Sequence, residues 1–192
     1  MVYMSELTLY TEENAPAGSR ELLVGVKKKF GMIPNVFAVM AESPATLKGY
    51  LTLSDIFEQS SFTAFERQVL MLTLSRQNGC DYCVAAHSLG SAKAGVAKEV
   101  IDAIRDNGQI PDRRLAALHH FCCTVVEKRG WVTESDQKAF FDADFTRAQS
   151  FEVVLAASLK TITNYMNHMA HTPLDEAFKA AEWTGRPEAA QG

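Results

Sequence analysis

The stretch Thr63-Ala64-Phe65-Glu66-Arg67-Gln68-Val69-Leu70-Met71-Leu72-Thr73-Leu74-Ser75-Arg76-Gln77-Asn78-Gly79-Cys80-Asp81-Tyr82-Cys83-Val84-Ala85-Ala86-His87 decides how the chain is read. Its first four residues form a capping-box pattern, in which a hydroxyl and a carboxylate satisfy each other's backbone N–H groups at a helix start. The helix that follows carries Phe65, Val69, Leu70, Met71, Leu72 and Leu74 around most of its circumference. A helix apolar nearly all round is buried on all sides, which predicts a central helix or a subunit interface. It runs to about Asn78, and Gly79 supplies the positive φ that ends a helix. Cys80 then opens a second helix to about Lys93, on which Cys80, Cys83 and His87 share one face.

The same punctuation recurs outward in both directions. Arg20 to Phe30 reads as a helix closed by Gly31, and Asn35 to Ala41 as a short one after Pro34. Ser43-Pro44 supplies an N-cap and a first-turn proline for a helix to about Gln59. Helices from Val96 to Asp106 and from Asp112 to Arg129 end at Gly108 and Gly130. Thr133 caps a helix to Ala143, and the capping box Thr146-Arg147-Ala148-Gln149 opens a long one to about Met169. Pro173 breaks the pattern before a last segment, Leu174 to Trp183. Strand signals are scarce, and no alternating run flanks a hairpin dipeptide. The expectation is an all-α, compact multi-helix bundle. Residues 1–19 read as an N-terminal extension, 20–183 as the helical domain and 184–192 as a C-terminal tail.

The 192 residues suffice for one domain with a real core. The net charge of −4 argues against nucleic acid as a partner, which calls for a basic surface. No apolar run reaches the ~20 residues needed to cross a bilayer, so no membrane association is expected. Met1 to Leu9 lacks the basic start and apolar block of a signal peptide. The chain therefore reads as cytoplasmic, where its four cysteines are catalytic, metal-binding or buried rather than a disulfide framework.

Two thiols one turn apart with an imidazole one turn further on suggest thiol redox chemistry. The first turn of a helix stabilises a thiolate through its free N–H groups and dipole. The bland alternative is a pair of inert core cysteines. Zinc would need a fourth ligand, with His119, His120, Cys122 and Cys123 as the possible donors, and no metal or other cofactor is expected. A thioredoxin-type site would need a preceding strand, which is not visible. Cys122 and Cys123 are adjacent, point to different helix faces and read as packing residues. Asn164, Asn167, His168 and His171 lie on one stripe of the long helix, either as a capping face or as a polar wall of the thiol pocket.

Glu66-Arg67-Gln68-Val69-Leu70-Met71-Leu72, Asn78-Gly79-Cys80-Asp81-Tyr82-Cys83 and Ala85-Ala86-His87 resemble the alkyl hydroperoxidase D (AhpD-like) and carboxymuconolactone decarboxylase superfamily. Phe30-Gly31-Met32-Ile33-Pro34-Asn35, Lys128-Arg129-Gly130-Trp131, Thr163-Asn164-Tyr165-Met166-Asn167-His168 and Thr172-Pro173-Leu174-Asp175 resemble its peroxidase-related branch. The resemblance implies an all-helical fold assembled as a homo-oligomer, a trimer or hexamer. It implies hydroperoxide reduction, with Cys83 attacking the peroxide, Cys80 resolving the sulfenic acid and His87 carrying protons. The implied reductant is a dithiol or a lipoylated or thioredoxin-like protein. The founding enzymes carry a glutamate twelve residues before the first cysteine, where this chain has Gln68, and a histidine where it has Tyr82. An amide cannot shuttle a proton as a carboxylate does. Glu66, Gln68, Tyr82, Asn164 and His168 are therefore the candidates for the relay or pocket. Because an external dithiol must reopen the disulfide, Cys80 is expected to be the more exposed sulfur. The competing readings are a decarboxylase acting on a small carboxylated lactone and a non-enzymatic thiol redox sensor.

Overall fold

The computed structural model describes residues 7–185. Parts of the expected N-terminal extension and C-terminal tail lie outside them. The described chain holds α1 (Ala17–Phe30), α2 (Asn35–Met40), α3 (Pro44–Glu58), α4 (Ala64–Gln77), α5 (Asp81–Lys93), α6 (Lys98–Asp106), α7 (Arg113–Glu127), α8 (Glu134–Phe141) and α9 (Arg147–Ala170). A 3₁₀ helix, Glu176–Ala181, follows. There is no strand among the described residues.

Local chemistry explains the starts. The Thr63 hydroxyl accepts from the Glu66 N–H while the Glu66 carboxylate accepts from the Thr63 N–H, and Thr146 with Gln149 repeats the arrangement on α9. Ser43 caps α3 ahead of Pro44. The first helix begins three residues earlier than the pattern suggests, at Ala17 after Pro16, a first-turn proline displaced by one position. The last segment is a short 3₁₀ helix rather than an α-helix. Pro173 restricts its approach, and the Arg105 guanidinium holds its end by donating to the carbonyls of Ala181 and Glu182.

The turn between α4 and α5 positions the thiols. Gly79 adopts φ 67°, its N–H donates to Arg76 O at 3.0 Å, and the Cys80 N–H donates to Ser75 O at 2.9 Å. This is a Schellman ending, and only a residue without a Cβ takes the left-handed position without strain. Cys80 thus closes α4 and serves as the N-cap of α5, which places Cys83 in that helix's first turn.

The central helix is α4, packed by α5, α6, α7 and α9, with Val69 to Ser75 all buried. Its all-round apolar surface is satisfied within the single chain. The apolarity of α4 is therefore no argument for a subunit interface.

Candidate active site

Three helices, α4, α5 and α9, converge on the Cys80–Cys83 pair. The N-cap and first turn of α5 supply Cys80 and Cys83, and its second turn supplies His87. Gln68 comes from α4, and α9 turns Lys160, Asn164 and Asn167 inward. All three α9 residues are buried, with Lys160 1% exposed. They lie on the face that carries Val153, Ala156 and Thr163, so the helix switches from apolar to polar along one stripe where it crosses the thiols.

The Asn167 amide donates to Cys83 Sγ at 3.3 Å and reaches Cys80 Sγ at 3.7 Å. Asn164 is fixed by Asn78, whose Nδ2 donates to its Oδ1 at 2.8 Å. Lys160 Nζ lies 3.0 Å from His87 Nε2. An ammonium has only donors, so Nε2 is the acceptor and the ring proton sits on Nδ1, which faces Gln68 Oε1 at 3.4 Å. Gly90 makes room for that amide: a Cβ there would stand 2.9 Å from Gln68 Oε1.

The two thiols are pushed apart in acidity. Burial alone would raise Cys83, but the Cys80 hydrogen bond, the Lys160 charge and hydrogen bond and the Asn164 amide outweigh it and bring Cys83 down. Cys80 is driven up by its hydrogen bond to Cys83, then by burial and by the charge on its neighbour. One sulfur is stabilised as the anion and the other as its hydrogen-bond donor. Burial, followed by the Lys160 charge, holds His87 well below the usual histidine range, so the imidazole is neutral.

The structure brings together only part of the residue set expected from sequence. Cys80, Cys83, His87, Gln68 and Asn164 meet. Glu66 does not: its carboxylate is occupied by the helix cap and by Arg114 Nε at 2.9 Å. Tyr82 does not either. Its hydroxyl donates to Asp175 Oδ2 at 2.5 Å and accepts from the Val36 N–H at 3.3 Å, tying α5 to the start of α2. His168 is exposed and stacks on Tyr165, with ring centroids 6.3 Å apart, while Asn164 and Asn167 are buried. The stripe expected to be uniform therefore splits, because His168 and His171 rotate past the edge of the buried face. Nor is Cys80 the more exposed sulfur: it is 0% exposed and Cys83 4%. Its place in the tight turn between two packed helices encloses it.

Lys160 escaped the sequence reading. Its signal was a lysine at the apolar register of an amphipathic helix, in step with Val153, Ala156, Asn164 and Asn167. The second cysteine pair stays apart from the site. Cys122 is buried, and Cys123 Sγ lies 3.8 Å from His119 Nε2, whose Nδ1 pairs with Thr73 at 3.0 Å. Burial raises both thiols, Cys123 to about 11.

Fold and site together define an all-helical protein with a buried dithiol at a helix start. Residues 44–119 match the model of the carboxymuconolactone decarboxylase family. No curated protein matches the chain. Among solved structures, the fold is similar to the alkylhydroperoxidase AhpD core of an uncharacterized peroxidase-related protein from Ralstonia eutropha JMP134. That likeness has a TM-score of 0.79 and 23% identity, covering 90% of this chain and 95% of that one. It is also similar to a peroxidase-related protein from Silicibacter sp. TM1040, with TM-score 0.76 and 16% identity over 93% and 97% of the two chains. A third likeness is to a cysteine-to-alanine variant of the debrominase Bmp8 in complex with 2,3,4-tribromopyrrole, with TM-score 0.75 and 13% identity over 92% and 95%. The segment that matches the family model runs from the start of α3 into α7 and contains the thiol turn, and the likeness to these solved structures is one of fold.

Proposed function

We propose that the protein is a thiol-dependent peroxidase that reduces hydroperoxides through a Cys80/Cys83 dithiol–disulfide cycle. The observation that carries this reading is the thiol pair at the start of α5, with Cys80 as N-cap, Cys83 in the first turn and the Asn167 amide 3.3 Å from Cys83 Sγ and 3.7 Å from Cys80 Sγ, surroundings that lower Cys83 and raise Cys80. The Cys83 thiolate attacks the terminal peroxide oxygen, the S–O bond forms as O–O breaks, and the alkoxide leaves and takes up a proton. Asn167 Oδ1 is buried with no hydrogen-bond partner among the described residues and is an acceptor for the terminal O–H of the hydroperoxide. Cys80 then attacks the Cys83 sulfenic acid, which gives the disulfide and water. An external dithiol, free or on a lipoylated or thioredoxin-like protein, exchanges with that disulfide and restores both thiols. Because both sulfurs are enclosed, this last step requires α5 or its turn to open.

The reading includes a homo-oligomer in the cytoplasm. Phe151, Val154, Tyr165 and Met169 are exposed along one stripe of α9, opposite its buried face, and a second copy of the chain is the proposed occupant. No helix among the described residues is long and apolar enough to cross a membrane.

Peroxide consumption with a dithiol reductant, followed by mass spectrometry of the cysteines, tests the proposal. Wild type is expected to turn over and to accumulate a Cys80–Cys83 disulfide with Cys122 and Cys123 unmodified. Cys83→Ser should abolish turnover, and Cys80→Ser should stop after one oxidation per chain. A stable disulfide without turnover would instead favour a redox sensor, and turnover in both variants would sink the peroxidase reading.

A further inference from the structure

Lys160 is a cation in the core. A buried ammonium is tolerated only where an opposite charge or several acceptors compensate for its lost hydration. None of the ion pairs observed among the described residues involves Lys160. Its hydrogen-bond partner is the neutral His87 at 3.0 Å, and the acidic group beside that histidine is Cys83, one turn earlier on α5 and bonded at 3.3 Å by Asn167 from the same inward face of α9 as Lys160; the lysine's charge bears on that thiol in the lowering direction. The neighbouring α4 residue is the amide Gln68 rather than a carboxylate. An ammonium and one thiolate therefore leave the cavity electrically balanced.

We propose that Lys160 is a catalytic residue of this dithiol site: it is the counter-ion of the Cys83 thiolate and the acid that protonates the departing alkoxide. This deepens the peroxidase reading and rests on it for the second role. In the resting state Lys160 is the ammonium and Cys83 the thiolate. When Cys83 attacks the hydroperoxide, Lys160 gives its proton to the alkoxide, which leaves as the alcohol, and Lys160 becomes the amine. As Cys80 attacks the sulfenic acid, its proton passes to the departing hydroxide to give water. Reduction of the disulfide by a dithiol releases one proton as Cys83 returns to the thiolate, and that proton restores the ammonium. Over the cycle, one hydroperoxide and one dithiol become one alcohol, one water and one disulfide. His87 is a positioning residue. Its Nε2 holds the lysine, and its Nδ1 is held by the Gln68 amide, which cannot take the proton away. Besides Cys80, the N-cap of α5, the titratable groups packed around the pair are the phenols Tyr50 on α3 and Tyr82 on α5, the latter with its hydroxyl turned away to Asp175. Burial is the leading reason that both phenols stay neutral through the working range.

The thiolate is read by absorbance at 240 nm across pH and by iodoacetamide labelling of Cys83, neither of which needs a peroxide. Lys160→Met is expected to move the Cys83 midpoint upward and to slow labelling at pH 7 at least about tenfold. Lys160→Arg, which keeps the charge, should largely retain the thiolate. An unchanged midpoint in Lys160→Met would overturn the counter-ion role. Single-turnover oxidation of Lys160→Met above its raised midpoint then isolates the acid. A rate still at least about tenfold below wild type supports proton delivery by Lys160, since general acid catalysis contributes at least that much. Full recovery there would overturn it. If wild type is not oxidised by peroxide, the peroxidase reading and the acid role fall together, while the titration still decides the counter-ion.

Discussion

At the scale of single residues, the difference between Cys80 and Cys83 is set by neighbours rather than by burial, since both are enclosed. Gln68 illustrates how one atom changes the arrangement. Its Oε1 accepts from the Nδ1 side of His87, and nothing in the contact favours an imidazolium. Gln68→Glu would place a carboxylate there, which favours the charged ring and competes for the field of Lys160. The expected outcome is a His87 midpoint raised by about one unit or more and a Cys83 thiolate that forms at higher pH. NMR titration of the His87 ring protons measures the first and absorbance at 240 nm the second. Unchanged titration of both groups would mean that the contact with Gln68 has no part in setting the site.

At the scale of elements, α2 and the C-terminal 3₁₀ segment are joined through α5. Pro34 cannot cap α2 with a side chain, and Asp175, distant in sequence, accepts from the Asn35 N–H at 3.1 Å instead. The Tyr82 hydroxyl completes the junction by donating to that same carboxylate. Tyr82→Phe removes one charge-assisted bond and leaves the Val36 N–H short of an acceptor. A loss of roughly 1–3 kcal/mol is expected in denaturant melts. Thiol ionisation should stay close to wild type, because the hydroxyl faces α2 rather than the sulfurs. A Tyr82→Phe variant of wild-type stability but altered thiol titration would contradict this division of labour. The helix ends were legible in the sequence because caps and terminating glycines act within about five residues of chain. The partner of each polar side chain was not: Glu66, Tyr82 and His168 have the right chemistry for a relay, yet packing turns each elsewhere.

At the scale of the whole molecule, stability should depend on pH through the buried histidines and thiols. His119 is lowered to about 4 by burial and by the charges of Arg76 and His120, and His87 is also held low. Unfolded histidines take up protons below about pH 6.5, whereas these two in the fold do not. Each pH unit below that point therefore costs roughly 1 kcal/mol per histidine until the folded group also titrates. Cys83 acts in the same sense: its thiolate is favoured in the fold, so that contribution is complete above about pH 8.5 and shrinks as pH falls. Cys80, Cys122 and Cys123 are raised and act oppositely, withdrawing stability as pH climbs past the unfolded thiol range. Thermal melts should thus show a maximum near pH 7–9 and a marked decline by pH 5. A flat profile would mean that these groups are not buried as described. The exposed α9 stripe carries a separate expectation. If a second copy covers this stripe, as proposed, wild type sediments as an oligomer and Phe151→Glu gives smaller species, because Phe151 is 76% exposed in the single chain and a charge there disfavours an apolar contact; a monomeric wild type would overturn that contact.

The amino-acid sequence alone determined the all-helical character, most of the helix boundaries and the placement of two thiols at a helix start. It could do so because periodicity, capping and glycine turns are short-range effects. Only the tertiary structure decided that both sulfurs are enclosed, that Tyr82 and Glu66 brace the scaffold and that a lysine on α9 stands against His87, 73 positions away in sequence. That pairing depends on how α9 rotates as it packs across α4 and α5, and the energy of that packing is spread over a core that no local pattern encodes.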